Sequence, residues 1–221
     1  MAWGRGLGMY RFGLVGCGRI SGKHVEALRA LEKEGRAKLT ACCDVDPSRA
    51  EAVAEAAGCP TFSSLEDMLK SGLCDLVSIC TPSGLHPKHV EVAASYGVHG
   101  VSEKPAGTSI EEVDRAIEAC DRHGVWYFVV KQNRFNRSIQ LLRRALEAGR
   151  FGRIYMLCSN VFWTRPQEYY DQAKWRGTWE FDGGALSNQA SHYVDMMQWM
   201  GGAVESVQAF SATLGRRIEA E

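Results

Sequence analysis

A short apolar run, Tyr10–Val15, passes directly into a glycine-punctuated turn, Gly16-Cys17-Gly18-Arg19-Ile20-Ser21, and then into a helical pattern from about Ile20 to Glu34. Strand, G-x-G turn and helix in immediate succession open a βαβ unit, which commits the chain to a parallel sheet covered by crossover helices. The alternation continues. Lys38–Cys43 is followed by Asp46-Pro47, an N-cap with proline at the first helical position, and that helix stops at Gly58. Ser63 and Glu66 form a capping-box pattern for a short helix ending at Gly72. Leu76–Cys80 is a buried strand, and Leu85–Tyr96 a helix closed by Gly97. After the strand His99–Ser102, Thr108 and Glu111 cap a helix with Ile110, Val113, Ile117 and Cys120 on one face, ending at Gly124; Trp126–Val130 completes the series. The expectation is an α/β fold, with six strand candidates (the five runs above among them) in a doubly wound parallel sheet. Ligands of such sheets bind at the carboxyl ends of the strands.

That rule gives the turn its chemistry. Gly16 permits the tight bend, Gly18 lets a backbone approach a pyrophosphate, and Ser21 is small enough for close helix–strand packing. The helix N-terminus adds free N–H groups and a positive dipole end. Asp44 ends the second strand at about the distance a ribose-binding carboxylate requires. A carboxylate there accepts from the 2′-hydroxyl and repels a 2′-phosphate, so the expected cofactor is NAD rather than NADP. Arg49, one turn into the next helix, is in reach of a 2′-phosphate but reads better as a solvated helix residue.

Composition removes several alternatives. Lys+Arg and Asp+Glu balance at 26 each, which gives no net field to attract nucleic acid or an anionic membrane. No apolar run is long enough to span a bilayer, and the opening twelve residues lack a signal-peptide pattern. Residues 1–8 read as a disordered extension. Eight cysteines contain no C-x-x-C pair, and Cys17, Cys42, Cys43, Cys80 and Cys158 lie in or beside strand-like runs. They read as reduced thiols packed as small hydrophobes, in a cytoplasmic protein. His86 and His89 are three apart, but no carboxylate or cysteine completes a metal site, and none is expected.

Three further motifs follow successive strands: C-T-P-S-G-L-H-P at Cys80–Pro87, S-E-K-P at Ser102–Pro105 and K-Q-N-R-F at Lys131–Phe135. Together with G-C-G-R-I-S and the long run W-R-G-T-W-E-F-D-G-G-A-L-S-N-Q-A-S-H-Y-V-D at Trp175–Asp195, they resemble the Gfo/Idh/MocA oxidoreductase family from about Met9 onward. Within that family, V-F-W-T-R-P-Q-E-Y-Y-D-Q with N-Q-A-S-H-Y-V-D is most similar to the WlbA-type dehydrogenases, which oxidise a UDP-N-acetylglucosaminuronate at sugar carbon 3. The resemblance implies an NAD-binding Rossmann domain over 9–131 and an α+β domain with an open sheet over 132–221, serving substrate and oligomerisation. Phe151–Trp163 and Glu205–Leu214 are its expected strands. Family members run on the order of a hundred residues longer, so the second domain is expected to be incomplete and the full-length form a homo-oligomer.

The resemblance also assigns roles. Lys104 and His192 become the catalytic pair. Gly16, Cys17, Gly18, Arg19, Ile20, Asp44, Thr81, Pro82, His86, Glu103, Lys104 and Gln132 become cofactor contacts, with His86 beside the nicotinamide ribose. A cation at Lys104 suits a hydroxyl being oxidised, because it stabilises the developing alkoxide. Asn188, His192 and Asp195 are spaced to share one face of a helix after Gly183-Gly184, opposite an apolar stripe of Leu186, Ala190, Tyr193 and Met197. Residue spacing alone allows a structural His192–Asp195 pair; the resemblance makes His192 the general base. Many relatives carry Asp where this chain has Asn188, and an amide can only orient a partner or bind substrate.

Arg165, Tyr169, Trp175, Arg176, Asn188 and His192 are the expected substrate contacts, since stacking faces and guanidinium forks suit a charged sugar nucleotide. The arginines could instead pair with Glu168, Asp171 or Glu180. The expected function is NAD-dependent oxidation of a nucleotide sugar. A cyclitol or simple-sugar dehydrogenase, and a non-catalytic NAD-binding sensor, are the alternatives. The expected partner is a small-molecule sugar or nucleotide sugar, without nucleic acid or membrane.

Overall fold

A computed structural model describes residues 8–220, and the chain divides into two compact units between Val129 and Val130. The expected N-terminal extension lies outside the described residues except for Gly8, which is exposed.

The first unit is one parallel sheet of β1 (Tyr10–Val15), β2 (Ala37–Cys43), β3 (Thr61–Phe62), β4 (Leu76–Ile79), β5 (His99–Ser102) and β6 (Tyr127–Val129). Its order is β3-β2-β1-β4-β5-β6, so the strand order reverses between β1 and β4, where doubly wound sheets place their ligand crevice. The strands are buried on both faces because crossover helices lie on each. Side chains alternate accordingly. Leu14 and Cys42 face a core with Val25 of α1 (Ser21–Lys33) and Ala50 and Ala54 of α2 (Pro47–Ala57). Val15, Ala41, Cys43, Val77 and Ile79 face a larger core with α3 (Leu65–Lys70), α4 (His86–Ser95) and α5 (Ile110–His123). No described helix is long and apolar enough to cross a membrane.

The helix starts differ in frame from the sequence expectation at two places. Ser64, not Ser63, caps α3 by accepting from the Asp67 N–H, and Ser109, not Thr108, caps α5 by accepting from Glu112 N–H. Both sites contain two overlapping polar-x-x-acid frames. In α3 the frame used turns Leu65, Met68 and Leu69 inward. The buried side of α5 also differs. Ile110 is 76% exposed, and Ala116, Ala119 and Cys120 face the core. Methyl-sized side chains let α5 lie close against Ala93 and Ala94 of α4, and a row of isoleucines would hold the two helices apart.

The second unit contains α6 (Arg137–Glu147), α7 (Gln167–Asp171), a π-helical turn at Ala185–Gln189 and α8 (Ser191–Gly201). The two expected strands do not form: Phe151–Trp163 and Glu205–Leu214 are irregular, with Phe162 95% and Phe210 93% exposed. A strand exists only with a ladder partner for its N–H and C=O groups, and the described residues hold no sheet besides that of the first unit. After Gly183-Gly184 the expected single helix is a π-helical turn followed by α8, and Ala190 and Tyr193 of the apolar stripe are half-buried. Asn188 and His192 are buried, and Leu186 and Met197 of the apolar stripe are exposed.

All eight cysteines are free thiols, and six are buried. Burial pushes the Cys43 thiol up to about 12, so it packs as a hydrophobe and does not act as a nucleophile. Cys158 is exposed rather than packed in a strand.

Packing is tight under β1. A Cβ on Gly13 would stand 2.9 Å from Met68 Cε and 2.7 Å from Cys74 Sγ, and Met68 is fully buried. Gly13→Val is expected to cost on the order of 1–3 kcal/mol by overpacking, and Met68→Ala about 2–5 kcal/mol by leaving a cavity. Chemical denaturation of both and of the double variant checks this. The double variant is expected to lose clearly less than the sum of the two, because one change fills the space the other empties.

Candidate active site

At the carboxyl ends of β1 and β4 two backbones approach closely. Gly16 has φ +86, and a Cβ there would lie 3.0 Å from the Cys80 carbonyl carbon and 3.0 Å from Thr81 N. Only glycine combines that angle with that contact. The Ser21 hydroxyl donates to Gly18 O at 2.6 Å and closes the turn into α1. Space is open around the Cβ position of Gly18, and Arg19 and Ile20 are exposed beside it. Asp44 reaches across from the end of β2. Its carboxylate accepts from Cys17 N at 2.7 Å and from Asp46 N at 2.9 Å. The turn and the expected ribose ligand are thus brought together. Arg49 is held by Asp46 at 3.1 Å as a solvated ion pair, the plainer of its two readings.

The Thr81 and Lys104 loops lie next along this edge. His86 is buried between them, with Nδ1 2.8 Å from Pro105 O and Nε2 2.9 Å from Thr81 O. The ring is built into the wall here, where it joins the two loops. Burial lowers its pKa against the pull of the two carbonyls. His89 lies 3.0 Å from Thr81 Oγ1, and burial holds it down to about 4, so it is a neutral ring. Pro82 leads into the 3-10 turn Ser83–Leu85. Among the described residues no three His, Cys, Asp or Glu side chains converge as metal ligands.

Glu103 is the buried carboxylate of this edge. One oxygen meets His24 Nε2 at 2.9 Å, and the other accepts from the Lys104 N–H at 3.1 Å. Burial pushes its pKa up, while the His24 bond and charge, then the Lys104 N–H and charge, pull it down further, leaving it below the ordinary value. His24 was not singled out in the sequence. Its only trace there is a polar residue preceding the inward-facing Val25 and Leu28 of α1.

The second unit gathers its polar side chains around the segment before α8. Asp182 is 2% exposed and accepts from Gly177 N at 2.8 Å and from the Asn188 side-chain amide. Asn188 thus spends a donor on a carboxylate that sequence reading missed. Gln132 Nε2 lies 3.2 Å from His192 Nε2; an amide nitrogen only donates, so this ring nitrogen carries the lone pair. Asp195 does not pair with His192. It takes both arms of Arg134, at 2.8 and 2.7 Å, and Lys131 stands 3.9 Å away.

Four of the six expected substrate contacts, Arg165, Tyr169, Trp175 and Arg176, come together in this unit. The Arg165 guanidinium stands 4.9 Å from the Tyr169 ring centre and 4.4 Å from that of Trp163; that of Arg176 stands 4.1 Å from Tyr169 and 4.8 Å from Trp175. Two cations thus share one aromatic ring. Neither forms an ion pair with Glu168 or Asp171, two of the three expected alternative partners. The Nε of each arginine is buried without an acceptor among the described residues.

Residues 10–131 match the oxidoreductase family with an NAD-binding Rossmann fold, and residues 139–221 match the C-terminal domain of the same family. The chain belongs to the Gfo/Idh/MocA oxidoreductases. It carries their NAD-binding fold. A WlbA dehydrogenase from Bordetella pertussis, crystallised with NADH and UDP-GlcNAcA, is 56% identical with a TM-score of 0.93, over 97% of this chain and 64% of that one. A second WlbA dehydrogenase with the same two ligands, from Chromobacterium violaceum, is 52% identical with a TM-score of 0.93, over 96% and 61%. The myo-inositol dehydrogenase Hyg17 of Streptomyces leeuwenhoekii is 30% identical over 86% of this chain and 55% of its own length.

The Glu103 geometry fixes a pH dependence. Its pKa is lowered in the folded state, so its contribution to stability is present above the unfolded value of about 4.3 and is lost as pH falls through the folded value. In Glu103→Gln the fall in unfolding free energy below about pH 4.3 is expected to be shallower than in the parent. Denaturant titrations at pH 3–7 check it, and parallel curves would remove the assignment.

Proposed function

We propose that this chain carries the machinery of an NAD-dependent dehydrogenase acting on an anionic nucleotide sugar, at carbon 3 of a UDP-N-acetylglucosaminuronate or a close analogue. The observation that carries the substrate class is the pair of arginines on Tyr169, each with a buried donor lacking an acceptor. Such a donor costs about 1–3 kcal/mol unless a ligand satisfies it, and carboxylate and phosphate oxygens suit guanidinium forks best. The 56% identity to a WlbA dehydrogenase holding UDP-GlcNAcA supports the same choice. Free thiols throughout suit a reducing cytoplasm.

The cofactor edge fits NAD: open space stands over Gly18, the N-terminus of α1 follows with its positive dipole end, and Asp44 is the nearby carboxylate. Bound NAD supplies the hydride acceptor. Gly16, Cys17, Gly18, Arg19 and Ile20 would hold its pyrophosphate, Asp44 its ribose, and Thr81, Pro82 and Glu103 would line its further course. Lys104 hydrogen-bonds the substrate hydroxyl and stabilises developing negative charge on that oxygen. His192 is the residue that accepts the hydroxyl proton. Asn188 and Asp182 hold the segment that carries it.

Two outcomes are expected. Asp44 makes NAD bind more tightly than NADP, and Asp44→Ser narrows that preference, as nicotinamide fluorescence titration reads. UDP-N-acetylglucosaminuronate binds and turns over better than UDP-N-acetylglucosamine by about tenfold or more, and Arg165→Lys or Arg176→Lys erodes the difference, because one charge-assisted bond contributes about 1.5–3 kcal/mol. Calorimetry and NADH absorbance on the sugar panel check this. Equal use of the two sugars removes the carboxylate assignment, and preference for myo-inositol favours a cyclitol dehydrogenase.

A further inference from the structure

Glu103 and Lys104 lie side by side at the end of β5, but what holds Glu103 comes from elsewhere in the sheet. His24, on α1, meets Glu103 Oε1 through Nε2 at 2.9 Å and Ser78 Oγ of β4 through Nδ1 at 2.6 Å. Ser78 is 2% exposed, and the His24 and Glu103 side chains are 14% and 11% exposed. The far Glu103 oxygen accepts the Lys104 N–H, and Glu103 N itself donates to Ile79 O at 2.9 Å. A polar chain therefore runs from a β4 hydroxyl through an α1 imidazole to a carboxylate, and ends on the backbone of the lysine.

We infer that His24 is a positioning residue for the reaction, setting the Lys104 backbone by clamping Glu103 from behind. The inference rests on the dehydrogenase reading for its activity readout only. An ionised carboxylate accepts and never donates, so the proton of the His24–Glu103 bond sits on Nε2. Nδ1 meets Ser78 whether it accepts the hydroxyl proton or donates its own. The Glu103 end is thus fixed in either state. A side chain serving only to fill space here would not need three buried polar groups in series, each costly if left unpaired. Rotation of Glu103 would release the Lys104 N–H, and small displacements of a group acting on the reacting oxygen cost rate steeply.

Two substitutions separate the ends of the ring. His24→Gln places an amide near the former Nε2 and can still hold Glu103. His24→Asn places one near the former Nδ1, serves Ser78 and leaves Glu103 without its clamp. The Lys104 backbone amide, followed by 15N–1H resonance and hydrogen exchange, is expected to shift and lose protection in His24→Asn and to return in His24→Gln. Turnover is expected to fall about tenfold or more in His24→Asn, with the KM for NAD within about twofold, and to recover to within about threefold of the parent in His24→Gln. An unmoved Lys104 amide in the Asn variant, or equal losses of turnover in both, overturns the proposal. Ring 15N shifts on the unmutated protein give a test independent of any variant's folding, since a bare Nε2 would also overturn it. A parent that turns over no sugar sinks the dehydrogenase reading alone, and the Lys104 amide then decides the clamp by itself.

Discussion

At the carboxyl ends of β1 and β4 two backbones come so close that no side chain fits between them. Gly16 takes a positive φ with its open side against Cys80 and Thr81, and Cys80 N donates to Val15 O at 2.7 Å across the same seam. That contact lets the sheet order reverse between neighbouring parallel strands while both crossovers leave on opposite faces. The α1 N-terminus and the Thr81 loop are then carried to one edge, where the Asp44 carboxylate from β2 also arrives. An alanine at Gly16 would need a left-handed angle costing about 1–2 kcal/mol and would push into backbone, which cannot rotate away.

Much of the first unit was legible in the sequence because both its periods are strong. Strands buried on two faces read as apolar runs, and their helices end on glycines that cannot be mistaken. Thr61–Phe62 is too short to carry a period and is known only by its pairing with Cys42 and Cys43. Cap frames slipped by one residue because Ser63-Ser64 and Thr108-Ser109 each offer two equivalent oxygens, and only the burial of the next turn distinguishes them. The irregular segments of the second unit show the opposite limit. Phe151–Trp163 has the composition of a strand, but composition does not supply a ladder, and partners for it are not among the described residues.

For the candidate site, residue types were legible and partnerships were not. Arg165, Tyr169, Trp175 and Arg176 announce stacking chemistry by type, and they do cluster. His86 gives no sequence sign of its partners, because both are carbonyls, which leave no mark in a sequence. Asp195 looked like a partner for His192 at helical spacing, yet Arg134, sixty-one residues away, takes it with two parallel bonds. A forked cation competes better for a carboxylate than a ring offering a single N–H. Asp182 had no signal beyond its place in a glycine-rich loop, and its role follows from folding onto Gly177 and Asn188.

Three carboxylates share one device. Asp44 accepts from Cys17 N, Glu103 from Lys104 N and Asp182 from Gly177 N. In each case the second oxygen reaches another donor: Asp46 N, the His24 ring and the Asn188 amide in turn. The two oxygens join a loop to something firmer, and charge makes each bond roughly twice as strong as its neutral counterpart. An amide in the same place would present one donor and one acceptor, and half of its contacts would become donor facing donor. An ionised carboxylate has no such ambiguity, since both ends only accept. For a loop that must keep one conformation, an acceptor-only linker defines a single arrangement. This explains why acids, and not the more easily buried amides, stand at these three positions.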